Sequence, residues 1–184
     1  DVQVFGADGE PVGYCLAWAD GYPSKYFKGG HVQVLLPEEV TELTLRSENH
    51  ADLTLPVAAI GKSLVLEPAL TVSLSVRDPD GLLEGHKAQL HLPGTLDPGI
   101  LGLVRAGGHS EHFRDHHLTR RKALTAGEPV EFRVYRPAVY EVSFFGPGET
   151  TKTPEEDLPP SLRGLRLTVN TAPAVQSHRL DASR

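Results

Sequence analysis

Histidine is concentrated in one segment of this 184-residue chain. Four of its nine histidines lie within residues 109–117, which read His-Ser-Glu-His-Phe-Arg-Asp-His-His. Imidazole and carboxylate groups are ligands for zinc and other divalent metals, and helical spacing would place His109, His112 and His116 on one face. The spacing matches none of the HExxH-type motifs. The segment therefore predicts either a zinc-type site, catalytic or not, or a polar loop that binds no cofactor.

The same part of the chain is locally basic. Arg114, Arg120 and Arg121 lie in or just after the histidine-rich segment, although the formal net charge of the chain is −6. Such a patch suits an acidic partner surface, and it could take part in a self-interaction with an acidic segment such as 38–39 or 155–157. Exposed ion pairs contribute little individually. The alternative is an ordinary solvated loop.

Aromatic residues cluster near the beginning of the chain. Trp18, the only tryptophan, is followed by Tyr22, Tyr26 and Phe27, which we expect in a loop that contains Gly and Pro. Tyr14 would share one strand face with Trp18. Exposed aromatic rings anchor protein interfaces or stack on sugars. The alternative is that Trp18 belongs to the core and the loop aromatics cover one end of the domain.

Other routes to chemistry have little support in the sequence. Cys15 is the only cysteine, so it cannot form an internal disulfide, and no neighbouring His or Lys would activate it. Asp78-Pro79-Asp80-Gly81 fits a turn better than a calcium loop. The negative net charge argues against nucleic-acid binding. No apolar run reaches the roughly 18 residues that a membrane-spanning helix needs.

Short alternating runs, separated by Gly and Pro, dominate the chain. Examples are 31–36, 41–46, 71–76, 130–135, 140–145 and 165–169. Apolar residues at every second position indicate half-buried antiparallel strands, and about nine such runs predict an all-β sandwich architecture. Only residues 110–124 offer a helical alternative, and their apolar spacing gives a poor stripe.

The chain contains the same unit twice. Residues 2–13 match 74–85, with an Asp-Gly turn in both copies, and 32–37 match 132–137. A further strand follows at 41–45 and again at 140–144. The second copy carries an insertion at about 94–122. The sequence therefore predicts two tandem domains, 1–69 and 70–184, of which the second has this insertion and a polar C-terminal tail.

This repeated pattern resembles the carboxypeptidase regulatory-like, or transthyretin-like (prealbumin-like), β-sandwich family. The resemblance rests on Asp8-Gly9-Glu10-Pro11-Val12-Gly13 and on the strands from 30 to 45. It covers 2–66 well and 71–170 more loosely because of the insertion. It implies two tandem Ig-like or transthyretin-like antiparallel β-sandwich domains and an extracellular bias, without naming a reaction.

The end of the second copy is also similar to the B-type domains of Gram-positive adhesins and pilins. Leu167-Thr168-Val169-Asn170 resembles their last strand, in which an Asn forms an isopeptide bond with a Lys. Here the first strand of the copy carries Arg77 at the place of that Lys. An isopeptide bond is therefore not expected.

Three functions are compatible with these patterns. The leading one is a non-enzymatic structural subunit of a surface or extracellular assembly that self-associates as an oligomer or filament, with the polar tail docked on a neighbour. The second is an adhesion module that binds a glycan or a surface protein through the aromatic cluster. The third is a metal-dependent enzyme, or an accessory domain of one, that uses the histidines. A strand that starts at Val2 directly after Asp1 favours secretion after signal-peptide removal.

Overall fold

The chain forms two β-rich units. The structure is a computed structural model that describes residues 1–19, 22, 25–47, 49–93 and 121–183. The described residues up to Ala69 form unit 1, and those from Leu70 onward form unit 2. Within these ranges the regular structure consists of fourteen strands and three short 3-10 turns. The prediction of an all-β protein is therefore confirmed.

Unit 1 has seven strands, and its two sheets share a core. The strands are β1 (Val2–Gly6), β2 (Tyr14–Trp18), β3 (Lys25–Lys28), β4 (His31–Val32), β5 (Glu42–Arg46), β6 (Leu53–Pro56) and β7 (Ser63–Leu66). They form a three-stranded sheet, β4-β1-β7, and a four-stranded sheet, β3-β2-β5-β6. Val4 and Leu66 of the first sheet and Cys15 and Leu45 of the second are fully buried in one apolar cluster. The two sheets therefore form a sandwich, as alternation predicted.

Unit 2 also has seven strands. These are β8 (Leu70–Arg77), β9 (Lys87–His91), β10 (Lys122–Ala123), β11 (Pro129–Val134), β12 (Ala138–Phe145), β13 (Arg166–Val169) and β14 (Val175–Asp181). The sheets are β11-β8-β14 and β10-β9-β12-β13. Val72, Leu74 and Phe132 from the first sheet and Leu90 and Phe144 from the second share a separate, fully buried cluster.

The two units have the same topology. Replacing each strand of unit 1 by the strand seven places later reproduces both sheets of unit 2. The Asp-Gly turns confirm the repeat locally, because Gly9 and Gly81 both have positive φ, at 82° and 67°. The match of 32–37 to 132–137 is wrong by two residues. Val2 pairs with Val32 and its counterpart Leu74 pairs with Val130, so Val32 corresponds to Val130. A shift of two keeps the same face inward, so alternation cannot detect it.

Three expectations about the strands need correction. The sheets are not wholly antiparallel, because β7 runs parallel to β1 and β14 runs parallel to β8. Tyr26 and Phe27 lie in strand β3 instead of a loop, because the four-residue run is ordered by its pairing with β2. Residues 177–181 of the expected polar tail, 177–184, lie in β14, so their order comes from pairing with β8 and requires no neighbouring molecule.

Candidate functional site

The outer face of the four-stranded sheet in unit 1 carries an aromatic cluster. Tyr14, Leu16 and Trp18 alternate along β2, and Leu16 lies directly opposite Tyr26 on β3 and Arg46 on β5. We call these five residues the aromatic face. Leu16 and Trp18 are buried, with Trp18 only 6% exposed, and the two tyrosines are half-buried against them. The predicted shared strand face of Tyr14 and Trp18 is therefore present.

A buried ion pair borders the aromatic face. Arg46 Nε donates to Asp52 Oδ1 at 2.6 Å, and its Nη2 donates to Oδ2 at 2.5 Å. Only 1% of the Arg46 side chain and 7% of the Asp52 side chain are exposed. The guanidinium carbon also lies 5.1 Å from the centroid of the Trp18 ring. The bidentate geometry and the ring contact hold this arginine on the sheet.

The two tyrosines of the aromatic face stack on each other. The ring centroids of Tyr14 and Tyr26 are 5.5 Å apart, with 28° between the ring planes. Burial raises the pKa of the Tyr26 hydroxyl, and the nearby Tyr14 raises it further. The pair supplies a rigid, partly exposed apolar surface with polar tips.

The other two predicted aromatic residues lie apart from this face. Phe27 is on the opposite side of β3 and packs against the core of unit 1. Tyr22 donates its hydroxyl to Glu39 Oε1 at 2.5 Å. This hydrogen bond raises the pKa of Tyr22 and lowers the pKa of Glu39. The sequence cluster is thus divided among an outer face, a core and an exposed hydrogen bond.

The predicted basic and metal-binding residues are only partly described. His109, His112, His116, Arg114 and Arg120 lie outside the described residues. Within the described ranges, no group of three His, Cys, Asp or Glu side chains could hold a metal ion.

Arg121 makes contacts within its own unit. Its guanidinium carbon lies 3.7 Å from the centroid of the Phe145 ring. Its Nη2 donates to the carbonyl oxygen of Thr150 at 2.9 Å. These contacts fix the side chain on unit 2, and its predicted role at an interface stays a prediction.

Sequence reasoning missed a polar cluster on the outer face of the four-stranded sheet in unit 2. Ser143 Oγ lies 3.4 Å from His91 Nδ1, and His91 Nε2 lies 3.1 Å from Glu141 Oε2. Arg166 donates to Glu141 Oε1 at 2.8 Å. His91 and Glu141 are about fifty residues apart in sequence and meet through the β9–β12 register, so no local signal identifies them.

Hydroxyl, imidazole and carboxylate follow one another in this cluster as they do in a hydrolase triad. Other features do not suit nucleophilic catalysis. Ser143 is only 4% exposed, Glu141 is shared with Arg166, and the adjacent Val142 N–H already donates to the Leu165 carbonyl at 3.0 Å. An oxyanion would need free donors near the hydroxyl. The geometry favours a cross-strand network that ties β9, β12 and β13 together.

Asp78 has a structural role in unit 2. Its two carboxylate oxygens accept the backbone N–H groups of Leu82 and Leu83 at 2.8 and 2.7 Å. The predicted turn is therefore confirmed, and its carboxylate is engaged by the backbone. The turn borders a cavity of about 400 Å³ that Leu83 and Leu124 help to line with apolar side chains.

Cys15 lies on the inner side of β2 and is fully buried. Burial raises the pKa of its thiol from the ordinary value of 9.0 to about 12. The thiolate is the reactive form, so this cysteine is inert in the folded protein, as the sequence predicted.

We expect native protein at pH 8.5 to be alkylated at Cys15 at least about a hundredfold more slowly than urea-unfolded protein, since burial limits both thiolate formation and access. A raised folded pKa also means that this group's contribution to stability is complete below pH 9 and is lost between pH 9 and about 12. Iodoacetamide labelling followed by intact mass measures the rate, because there is one thiol per chain. Equal rates in both states would contradict the assignment.

Comparisons with known proteins add little to this description. No protein-family model and no curated protein matches the chain. Among solved structures, a point mutant of the shaft pilin spaA from Lactobacillus rhamnosus GG aligns over 100% of this chain and 97% of its own, with 8% identity and a TM-score of 0.29. Such a score supports no argument about function. The described part of the chain includes no helix of the length and hydrophobicity that would cross a membrane. The transthyretin-like family therefore stays a prediction.

Proposed function

We propose that this protein is a non-enzymatic structural subunit of an extracellular or cell-surface assembly that forms by self-association. One observation carries the proposal: each unit has an edge strand with a half-exposed valine. Val65 on β7 and Val175 on β14 are both 54% exposed, and both strands lie at the edge of a three-stranded sheet. Edge strands of this kind pair readily with other chains.

Several polar groups that could serve a reaction are instead bound or buried within the chain, which supports the same proposal. Arg46 is paired with Asp52, Asp78 binds two backbone N–H groups, and the Cys15 thiol is buried. These groups stabilise strands and turns instead of facing a substrate. The proposal therefore includes neither a catalytic step nor a cofactor, and metal binding by the 109–117 segment stays a separate prediction.

Self-association should depend on protein concentration. We expect sedimentation velocity over about 1 µM to 1 mM to show a rising weight-average mass, because an exposed edge without a large apolar interface gives weak, reversible contacts. The buffer should contain moderate salt and no denaturant, because salt only weakly screens the backbone hydrogen bonds between paired strands. A single monomer boundary at every concentration would contradict the proposed function.

A second candidate function is a module that binds a surface protein through the aromatic face. The half-buried Tyr14–Tyr26 stack favours it, because rigid tyrosine pairs serve as interface anchors. Stacking of Trp18 on a glycan is less suited, since that ring is only 6% exposed. A chain that stays monomeric in the same sedimentation series would favour this second candidate.

A further inference from the structure

Strand β7 directs part of its backbone away from its own sheet. In the parallel β1–β7 ladder, the Gln3 N–H bonds to the Lys62 carbonyl at 3.0 Å. The even-numbered residues of β7 therefore point their N–H and C=O groups at β1. Ser63 and Val65 point theirs outward, and the Val65 side chain lies on the outer face of the sheet.

Strand β14 repeats this arrangement in unit 2. Thr71 N–H bonds to the Ala174 carbonyl, and Ala182 N–H bonds to the Arg77 carbonyl, both at 2.8 Å. The even-numbered residues again face the neighbouring strand. Val175, Ser177 and Arg179 direct their backbone groups outward.

Both edges are closed near their C-terminal ends. Just after β7, the Glu67 carbonyl accepts the Ala51 N–H at 2.8 Å. At the end of β14, the Asp181 carbonyl accepts the Ser161 hydroxyl at 2.5 Å. The open parts are therefore short, and each contains one exposed valine and one serine: Val65 with Ser63, and Val175 with Ser177.

The shared topology decides how two such edges can join. β7 and β14 occupy equivalent edges of equivalent sheets. Two equivalent edges can be joined with both outer faces on the same side only if the strands run antiparallel, because parallel pairing would turn one sheet over. Antiparallel pairing also allows the outward residues to form hydrogen-bonded pairs.

We propose that β7 of one copy pairs antiparallel with β14 of the next, with Val65 opposite Val175 and Ser63 opposite Ser177. This inference rests on the proposed self-association and names its contact. The register gives four backbone hydrogen bonds, one apolar pair and one hydroxyl pair. A joined pair still has one free β14, on the first copy, and one free β7, on the second, so the contact is head-to-tail and can continue into a ring or an open array.

Pairing of like edges gives poorer matches. A β14–β14 pair centred on Ser177 would place Val175 opposite Arg179. A β7–β7 pair centred on Val65 would place Ser63 opposite Glu67, whose carbonyl is already bonded to Ala51. Only the mixed pair matches residue types at two successive outward positions.

Two lysine variants and their mixture test the contact. We expect Val65→Lys and Val175→Lys, each alone, to need about tenfold or more higher concentration than wild type to associate, because an edge lysine blocks strand pairing. Mixed in equal amounts, they should form 1:1 dimers and stop there. The intact β14 of one variant pairs with the intact β7 of the other, and their two lysine edges cannot pair. Sedimentation velocity measures all three samples.

Leu35→Lys is the matched control. Leu35 is 90% exposed and lies outside the strands, so we expect wild-type association. Near-ultraviolet circular dichroism checks that each variant is folded. In wild type, hydrogen exchange at Val65 and Val175 should slow as concentration rises, which tests the contact without substitution.

The outcomes separate this inference from the proposed function. If wild type associates and either lysine variant associates equally well, or the mixture stays monomeric, the β7–β14 contact is wrong while self-association stands. If wild type stays monomeric up to 1 mM, both are wrong.

Discussion

Replacing Asp52 by alanine should destabilise unit 1 by about 3–5 kcal/mol, because the substitution leaves the Arg46 guanidinium buried without its carboxylate. Arg46 is 1% exposed and makes two hydrogen bonds to Asp52. Water has little access to replace those bonds, because both side chains are almost fully buried. The cost is therefore far larger than that of an exposed ion pair.

Tryptophan fluorescence during urea unfolding measures this effect within unit 1. Trp18 is the only tryptophan, and its ring faces Arg46 at 5.1 Å. The matched control is Asp1→Ala, which breaks an exposed contact with His31 in the same unit and should cost less than about 1 kcal/mol.

A double variant, Arg46→Met with Asp52→Leu, removes both charges and should recover much of the loss, because buried ion pairs are often replaceable by apolar residues. Equal costs for Asp52→Ala and Asp1→Ala would show that the buried pair does not hold this face.

Although it missed β7, whose inward Leu64 and Leu66 are apolar, alternation identified several of the sandwich strands. The run 71–76 is an example, and it lies within β8, where buried and partly exposed residues alternate. β14 was missed because two of its inward residues, Gln176 and His178, are polar. Gln176 can be buried because its side chain accepts the Asn170 N–H and donates to the Asn170 and Pro173 carbonyls. A hydropathy pattern does not reveal such hydrogen bonds between a side chain and the nearby backbone.

The candidate sites were harder to predict than the strands because they depend on pairing between strands. Arg46 falls on the outward side of the alternating run 41–46, and it is buried beside Asp52 across the β5–β6 connection. The opposite charges of Arg46 and Asp52, at the two ends of that short connection, were the sequence signal for this ion pair. Predicting the contact between His91 and Glu141 requires the register of β9 against β12. The two-residue error in the repeat alignment shows that the sequence pattern does not fix such a register.

The two units keep the same backbone pairing with different side chains. Thr44 and Thr54, on β5 and β6 of unit 1, bond through their hydroxyls at 2.9 Å, whereas Glu141 and Arg166, on the corresponding strands β12 and β13 of unit 2, form an ion pair. Each position needs a mutually satisfied pair, and the type of pair is free to vary. This explains why the repeat is visible in turn glycines and apolar alternation and is lost in the polar residues.

Replacing Phe132 by alanine should destabilise unit 2 by about 3–5 kcal/mol through loss of buried area and creation of a cavity. Phe132 is fully buried, and it pairs on β11 with the equally buried Val72. The core cluster that contains it is separate from that of unit 1. The loss should therefore appear in unit 2 and leave the transition reported by Trp18 nearly unchanged.

Far-ultraviolet circular dichroism, which follows both units, and Trp18 fluorescence, which follows unit 1, should then give different midpoints for Phe132→Ala in urea. Val139→Ala is the control, since Val139 is 43% exposed on β12 of the same unit and should change stability by less than about 1 kcal/mol. If the Trp18 transition moves as far as the circular dichroism transition, the two units unfold as one cooperative body. The prediction that the two units fold independently would then be wrong.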